Sequence, residues 1–250
     1  MALPASLPSN TAQTQAELVY KDRVVPYTLR RSARARCLRV EVHPRSGVTV
    51  VAPMRAPPSA IERFLAGTRL WIFRQVDRLS ARRAGIPPYW PHGPTLPFLG
   101  KDYPVGIEPC GQRGPSSVAL HDERLIVRVR QDTPETARRA LRNWYMTQAQ
   151  IHLEARTAFW APRLSAAYRY VHVGNARSRW GSCSATGVLR YNYRLVMAPP
   201  EIVDYVVVHE LAHTRQLNHS PRFWAIVAEH SPDYAAARIW LRTRGLFLTL

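Results

Sequence analysis

Apolar and polar residues alternate in short runs through the first part of the chain. Residues 24–29, 37–42 and 48–52 are rich in β-branched side chains and are separated by Arg/Ser and Pro-Arg-Ser-Gly turns, which predicts three strands. Pro57-Pro58-Ser59-Ala60-Ile61-Glu62 then predicts a helix start, with Ser59 and Glu62 as a capping box. Ile61, Leu65, Trp71 (with Leu70), Val76 and Leu79 supply its apolar stripe and Gly85 its stop, which gives a helix over 59–84. Residues 86–97 are dense in Pro and Gly and predict a loop. Strands or turns follow at 98–103 and 124–129. Thr133 caps a long helix to about Arg156, with Pro134 in its first turn.

The second half has another texture. Residues 171–179 and 188–197 are strand-like and read as a hairpin closed by the longer loop 181–187. Ala198-Pro199-Pro200-Glu201 opens a helix that is apolar nearly all round, from Ile202 to Ala212, and is therefore buried. Ser220-Pro221 and Ser231-Pro232 each start a further helix, and Gly245 stops the last. The pattern predicts an α+β fold in three parts. They are a disordered N-terminal arm over 1–17, a β-rich domain with one long helix over 18–131, and a catalytic domain over 132–250.

The chemistry is concentrated in His209-Glu210-Leu211-Ala212-His213 on the buried helix. Positions four apart lie about 40° apart around a helix and about 6 Å along it, so two imidazoles can grip one ion. Glu210 then stands beside a metal-bound water without ligating the metal, as a general base must. Two histidines and a glutamate on a buried helix would be costly without a ligand. A catalytic zinc wants three protein ligands and an open position. His219 is the favoured third. Continued helix would carry it about 240° round and about 9 Å further on, so the chain must turn back after roughly Gln216. Asn218 tolerates a left-handed turn, and Ser220-Pro221 begins a new helix directly afterwards. Glu229 on that helix is the competing ligand, or a residue receiving an N–H from a ligating histidine. For the oxyanion or substrate the candidates are Arg179, Tyr191, Tyr193 and His230, and the strand at 188–197 is the expected place for an extended peptide to add.

Bulk composition narrows the setting. No run of eighteen apolar residues occurs, so no membrane partner is expected. Three cysteines, odd in number and far apart, suit a reducing compartment, and with no apolar leader at the start a cytoplasmic location is expected. The net charge of +18 admits nucleic acid as a partner, whose binding would weaken steeply with salt. Nearly all of that charge is arginine in a chain also rich in Ala and Pro, a pattern that coding bias would also produce.

Arg179-Trp180-Gly181-Ser182-Cys183-Ser184, Tyr191-Asn192-Tyr193, Ala198-Pro199-Pro200, the His209–His213 motif and His219-Ser220-Pro221-Arg222-Phe223-Trp224 together resemble the YgjP-like metallopeptidase family, a relative of the SprT-like zincins. The resemblance runs from about residue 18 to 244. It includes Arg31-Ser32-Ala33-Arg34 near the start and Pro232-Asp233-Tyr234 near the end. It implies one zinc ion on a His-Glu-His-His site, a zincin-like fold and peptidase activity on a protein or peptide. The rival expectations are a metal-dependent hydrolase of a non-peptide amide and a nucleic-acid-binding protein with a zinc site. A structural zinc site is usually closed and cysteine-rich, and this pattern is neither.

Overall fold

The computed structural model describes residues 13–43, 46–83, 90–111, 114–131, 133–176 and 178–250. The chain divides into two compact units, Met1–Gly85 and Ile86–Leu250. Residues 86–131, expected to belong with the N-terminal strands, thus fall in the second unit.

In the first unit β1 (Gln13–Tyr20), β2 (Arg23–Ser32), β3 (Arg39–His43) and β4 (Gly47–Pro53) form one sheet in the order β1-β2-β4-β3. Strand β1 corrects the expected disordered arm over residues 13–17, while residues 1–12 lie outside the described residues. Every second residue, Thr14, Ala16, Leu18 and Tyr20, is half-buried, and all eight pair with β2. Helix α1 (Pro58–Arg83) starts on Pro57, whose carbonyl accepts from Ala60 and Ile61, so Ser59 lies inside the first turn rather than capping it. The stripe also differs. Ile61, Leu65, Ile72 and Phe73 are buried, whereas Leu70 and Trp71 are 48% and 46% exposed. Seven residues return a helix to nearly the same face, which puts Ile72 above Leu65 and turns Trp71 away. The expected stop at Gly85 lies outside the described residues.

The second unit is mixed α+β. Strands β5 (Thr95–Phe98), β6 (Lys101–Pro109), β7 (Ser117–His121) and β8 (Arg124–Val129) form a sheet in the order β5-β6-β8-β7, so part of the expected loop at 86–97 is strand. Helix α2 (Pro134–Arg163) has Thr133 as N-cap, as expected, and runs about two turns beyond Arg156. Its stripe Ala137, Leu141, Tyr145, Ala149, Leu153, Thr157 and Ala161 recurs every four residues and is buried throughout. The first turns pack on β7 and β8, the later ones on β9 (Tyr170–Gly174) and α3 (Pro200–Ala212). Arg156 clamps α2 to α3 with a two-pronged ion pair to Asp204, at 2.6 and 2.7 Å.

The sheet that frames the site departs from the expected hairpin. Strand β9 lies parallel to β11 (Val188–Asn192), and the antiparallel partner of β11 is β10 (Gly181–Cys183). Gly187, at φ +74, lets residues 184–187 turn β10 directly into β11. Residues 193–197 form a 3-10 turn instead of prolonging the strand, because the Asn192 side chain accepts from the Arg194 N–H. Helices α4 (Pro221–His230) and α5 (Tyr234–Thr243) complete the unit. No described helix is long and apolar enough to cross a membrane.

Candidate active site

Helix α3 is buried on almost every side from Ile202 to Ala212, and it carries His209 and Glu210 into the interior. It ends at Ala212 with His213 as its C-cap, a turn earlier than expected. The return to His219 does not use a left-handed Asn218. That residue is absent from the positive-φ positions of the described residues. Its side-chain oxygen instead accepts from the Ser220 N–H (3.3 Å) and from Gln216 Nε2 (2.7 Å), which closes the turn through side-chain bonding.

His209, His213 and His219 each direct one ring nitrogen to a common point, all within 4.8 Å of one another. His219 Nε2 and His209 Nε2 stand 3.1 Å apart. Two nitrogens at about 2.0–2.1 Å from a tetrahedral zinc would stand about 3.3–3.4 Å apart, so the spacing suits a shared ion. The outward nitrogens of His213 and His209 are occupied. His213 Nδ1–H donates to the Gln216 carbonyl (3.2 Å), and His209 Nδ1 pairs with the Tyr205 hydroxyl at 3.4 Å. These bonds fix ring orientation and leave lone pairs facing inward. Burial, then the neighbouring His213 and His219 and the Arg238 charge, push His209 down to about 3, so it is neutral and able to ligate. Burial likewise lowers His213. The donor set therefore fits a divalent metal.

Glu229, the alternative ligand, is exposed and outside this converging group. The partner it was expected to offer a ligating imidazole is supplied by Gln216 and Tyr205.

The three imidazoles stand around Phe223, which is fully buried, with ring centroids at 4.9, 4.6 and 4.7 Å from His209, His213 and His219. Although exposed, His219 is held by stacking on Trp224 (5.6 Å), which stacks on Tyr234 (5.2 Å) with the Arg238 guanidinium 4.6 Å over its own ring. Replacing Phe223 with alanine is expected to cost about 3–5 kcal/mol of stability, as large aromatic truncations do, and to weaken metal binding. Denaturant unfolding and metal titration check both, and a loss below about 1 kcal/mol would contradict the packing argument.

Glu210 is 5% exposed and lies under β10. Its carboxylate accepts from the Cys183 N–H and feels the Arg179 charge, both of which lower its pKa, but burial outweighs them and pushes it up to about 8. A divalent cation nearby would act in the same direction as Arg179. At Gly181 an added Cβ would come within 2.5 Å of Glu210 Oε1, so a larger residue there would displace this carboxylate. Gly181 was not singled out from sequence. A glycine inside a strand marks a close approach, but the run around Gly181 reads as a loop in the sequence.

The remaining expected residues are dispersed. Tyr191 is buried, its hydroxyl meets Thr157 at 3.5 Å, and burial raises its pKa well above the usual range. Tyr193 is buried in the 3-10 turn. The His230 ring nitrogens lie 3.0 and 2.9 Å from the Ile226 and Arg163 carbonyls, so it caps the ends of α4 and α2. Arg179 alone of the four is exposed and beside Glu210.

Strand β11 cannot take an added peptide, contrary to expectation, because β10 and β9 occupy its two sides. The outer side of β9 is also filled. Gln150 Nε2 donates to the Val171 carbonyl (3.3 Å) and its Oε1 accepts from the Val173 N–H (3.2 Å). Trp180 and Ser184 bond inward to β11, so the Gly181 N–H and C=O and the Cys183 C=O turn to the free edge of β10, while the Cys183 N–H is taken by Glu210.

Among solved structures, the metallopeptidase zymogen of Pyrococcus abyssi abylysin is 20% identical, covering 36% of this chain and 93% of that one at a TM-score of 0.32. The zymogen of Methanocaldococcus jannaschii jannalysin is 19% identical, covering 36% and 95% at a TM-score of 0.32. Comparison with curated proteins gives no match. Residues 36–244 match the YgjP-like, metallopeptidase domain family, and the chain belongs to that family.

Proposed function

We propose that the chain is a zinc peptidase whose single ion is held by His209, His213 and His219, with Glu210 as general base. The observation that carries it is the convergence of three imidazoles beside a buried carboxylate that no lysine or arginine neutralises by direct contact among the described residues. When bound, zinc would supply Lewis acidity, making water nucleophilic near neutral pH and polarising the scissile carbonyl. Glu210 accepts the proton of the attacking water on its carboxylate and delivers it to the leaving amine nitrogen. The Cys183 N–H holds that carboxylate in place, and Gly181 leaves it room. Arg179 is the cation for the oxyanion that develops on the carbonyl. The peptide adds along the free edge of β10, which runs past Glu210.

Gly181→Ala is expected to shift the carboxylate and to lower kcat/KM by about 10²-fold with metal content unchanged, as misplacement of about 1 Å can do. Wild-type turnover in this variant would rule out the close approach as a requirement. The function itself is tested by proteome-wide cleavage profiling of wild type against Glu210→Gln. New termini present only with wild type support a peptidase, and identical profiles with metal-loaded protein contradict it.

A further inference from the structure

The sheet beside the site has a second face that the reading above does not use. On β9 and β11, Val171, Val173, Leu189 and Tyr191 are buried inward, so the residues between them face outward. His172, Arg190 and Ser182 are in register across the three strands, since Arg190 pairs with His172 on one side and with Ser182 on the other. They therefore form one row over a cavity of about 370 Å³. No aspartate or glutamate lines it. Neither the Arg190 nor the His172 side chain enters a hydrogen bond or ion pair with a described residue. The wall formed by Ala176, Arg179 and Trp180 is anchored. Asn192 Nδ2 donates to the Ala176 and Arg179 carbonyls (2.7 and 3.3 Å), and Arg194 Nη2 donates to Ala176 (2.9 Å).

A peptide on the free edge of β10 would send alternate side chains to the two faces of the sheet. One set points inward to Glu210, which occupies the space a Gly181 side chain would fill. The other set falls on the row of Ser182, Arg190 and His172. Neighbouring strands lie about 4.8 Å apart, so a residue opposite Ser182 is about 10 Å from the Arg190 backbone. An extended arginine and a glutamate close that span between them.

The geometry points to a subsite on this outer face that selects an acidic side chain of the substrate, with Arg190 as its cation and Ser182 and His172 as hydrogen-bonding partners. The inference rests on peptide binding at the β10 edge and names the substrate class for it, a peptide carrying Asp or Glu at one position near the scissile bond. An arginine–carboxylate pair is directional and charge-assisted, so it distinguishes Glu from the isosteric Gln. A diffuse field from the +18 chain would favour acid at every position alike.

The test uses the full-length chain carrying Glu210→Gln, loaded with zinc, and fluorescein-labelled octapeptides in an alanine–leucine background with Glu or Gln placed at each position in turn. Fluorescence anisotropy at about 150 mM salt should give binding at least about tenfold tighter for Glu at one position. Adding Arg190→Gln should reduce that ratio to within about twofold. Adding Arg139→Gln, an exposed arginine about 16 Å along α2 from Gln150, should leave the ratio intact. No binding, no positional preference, or equal effects of the two arginine substitutions would each overturn the subsite. Acid-selective binding without cleavage by wild type would keep the subsite and remove the peptidase reading, while cleavage without acid preference would do the reverse.

Discussion

Glu210→Gln is expected to lower peptide hydrolysis by about 10²-fold or more, as loss of a general base does, while metal content and folding stay at wild-type levels. The separation follows from where the carboxylate sits. Glu210 is next to His209 in sequence but outside the converging group of His209, His213 and His219, so its loss removes no ligand. Glutamine keeps the shape and an oxygen that can still accept from the Cys183 N–H, so β10 has no reason to move. What disappears is the capacity to take a proton from water. Single-turnover hydrolysis with parallel metal analysis and unfolding curves checks all three quantities. A variant as active as wild type would remove Glu210 from the mechanism, and one that had lost its metal would make it a ligand.

His219→Ala should have the second large effect, loss of zinc affinity by several orders of magnitude, because the site would fall to two histidines on one helix. Glu229→Ala should change affinity by less than about threefold. This is smaller than the 10–100-fold loss typical of a residue supporting a ligand, since that support comes from Gln216 and Tyr205. Competition titration with a chelator measures both. Comparable losses in the two variants would restore Glu229 to the site.

The cluster of three histidines is legible in the sequence because helical geometry links spacing to direction. His209 and His213 had to share a face, and a ligand at 219 required a chain reversal whose turn residue and helix start are both visible. Thr133 as a cap is readable for the same reason, since its chemistry is local. Less visible are the contacts made across long separations. Strand β10 is three residues long and sits in a Gly-Ser-Cys run that looks like a loop, so the order β10-β11-β9 and the free edge could not be anticipated. Glu210 against Gly181 joins residues twenty-nine positions apart. Gln150, a polar residue on a long helix, gives no sign that its amide will stand in for a strand beside β9. Strand β1 is missed although Thr14, Ala16, Leu18 and Tyr20 alternate with Gln13, Gln15 and Glu17, because its polar start reads as part of the terminal arm.

The Tyr191, Tyr193 and His230 assignments show the opposite limit. Each residue has a side chain suited to catalysis, and each is used for packing or capping: Tyr191 at Thr157, Tyr193 in the buried 3-10 turn, His230 between two helix ends. Residue type supplied the candidates, but burial and partners decide among them.

The central claim, one zinc ion on His209, His213 and His219, is tested most directly by anomalous diffraction at the zinc edge from crystals of the metal-loaded chain. A single peak at about 2.0–2.1 Å from one nitrogen of each of the three imidazoles is the expected result. A peak coordinated by Glu229 in place of His219, or no peak between these histidines in metal-loaded protein, would contradict it.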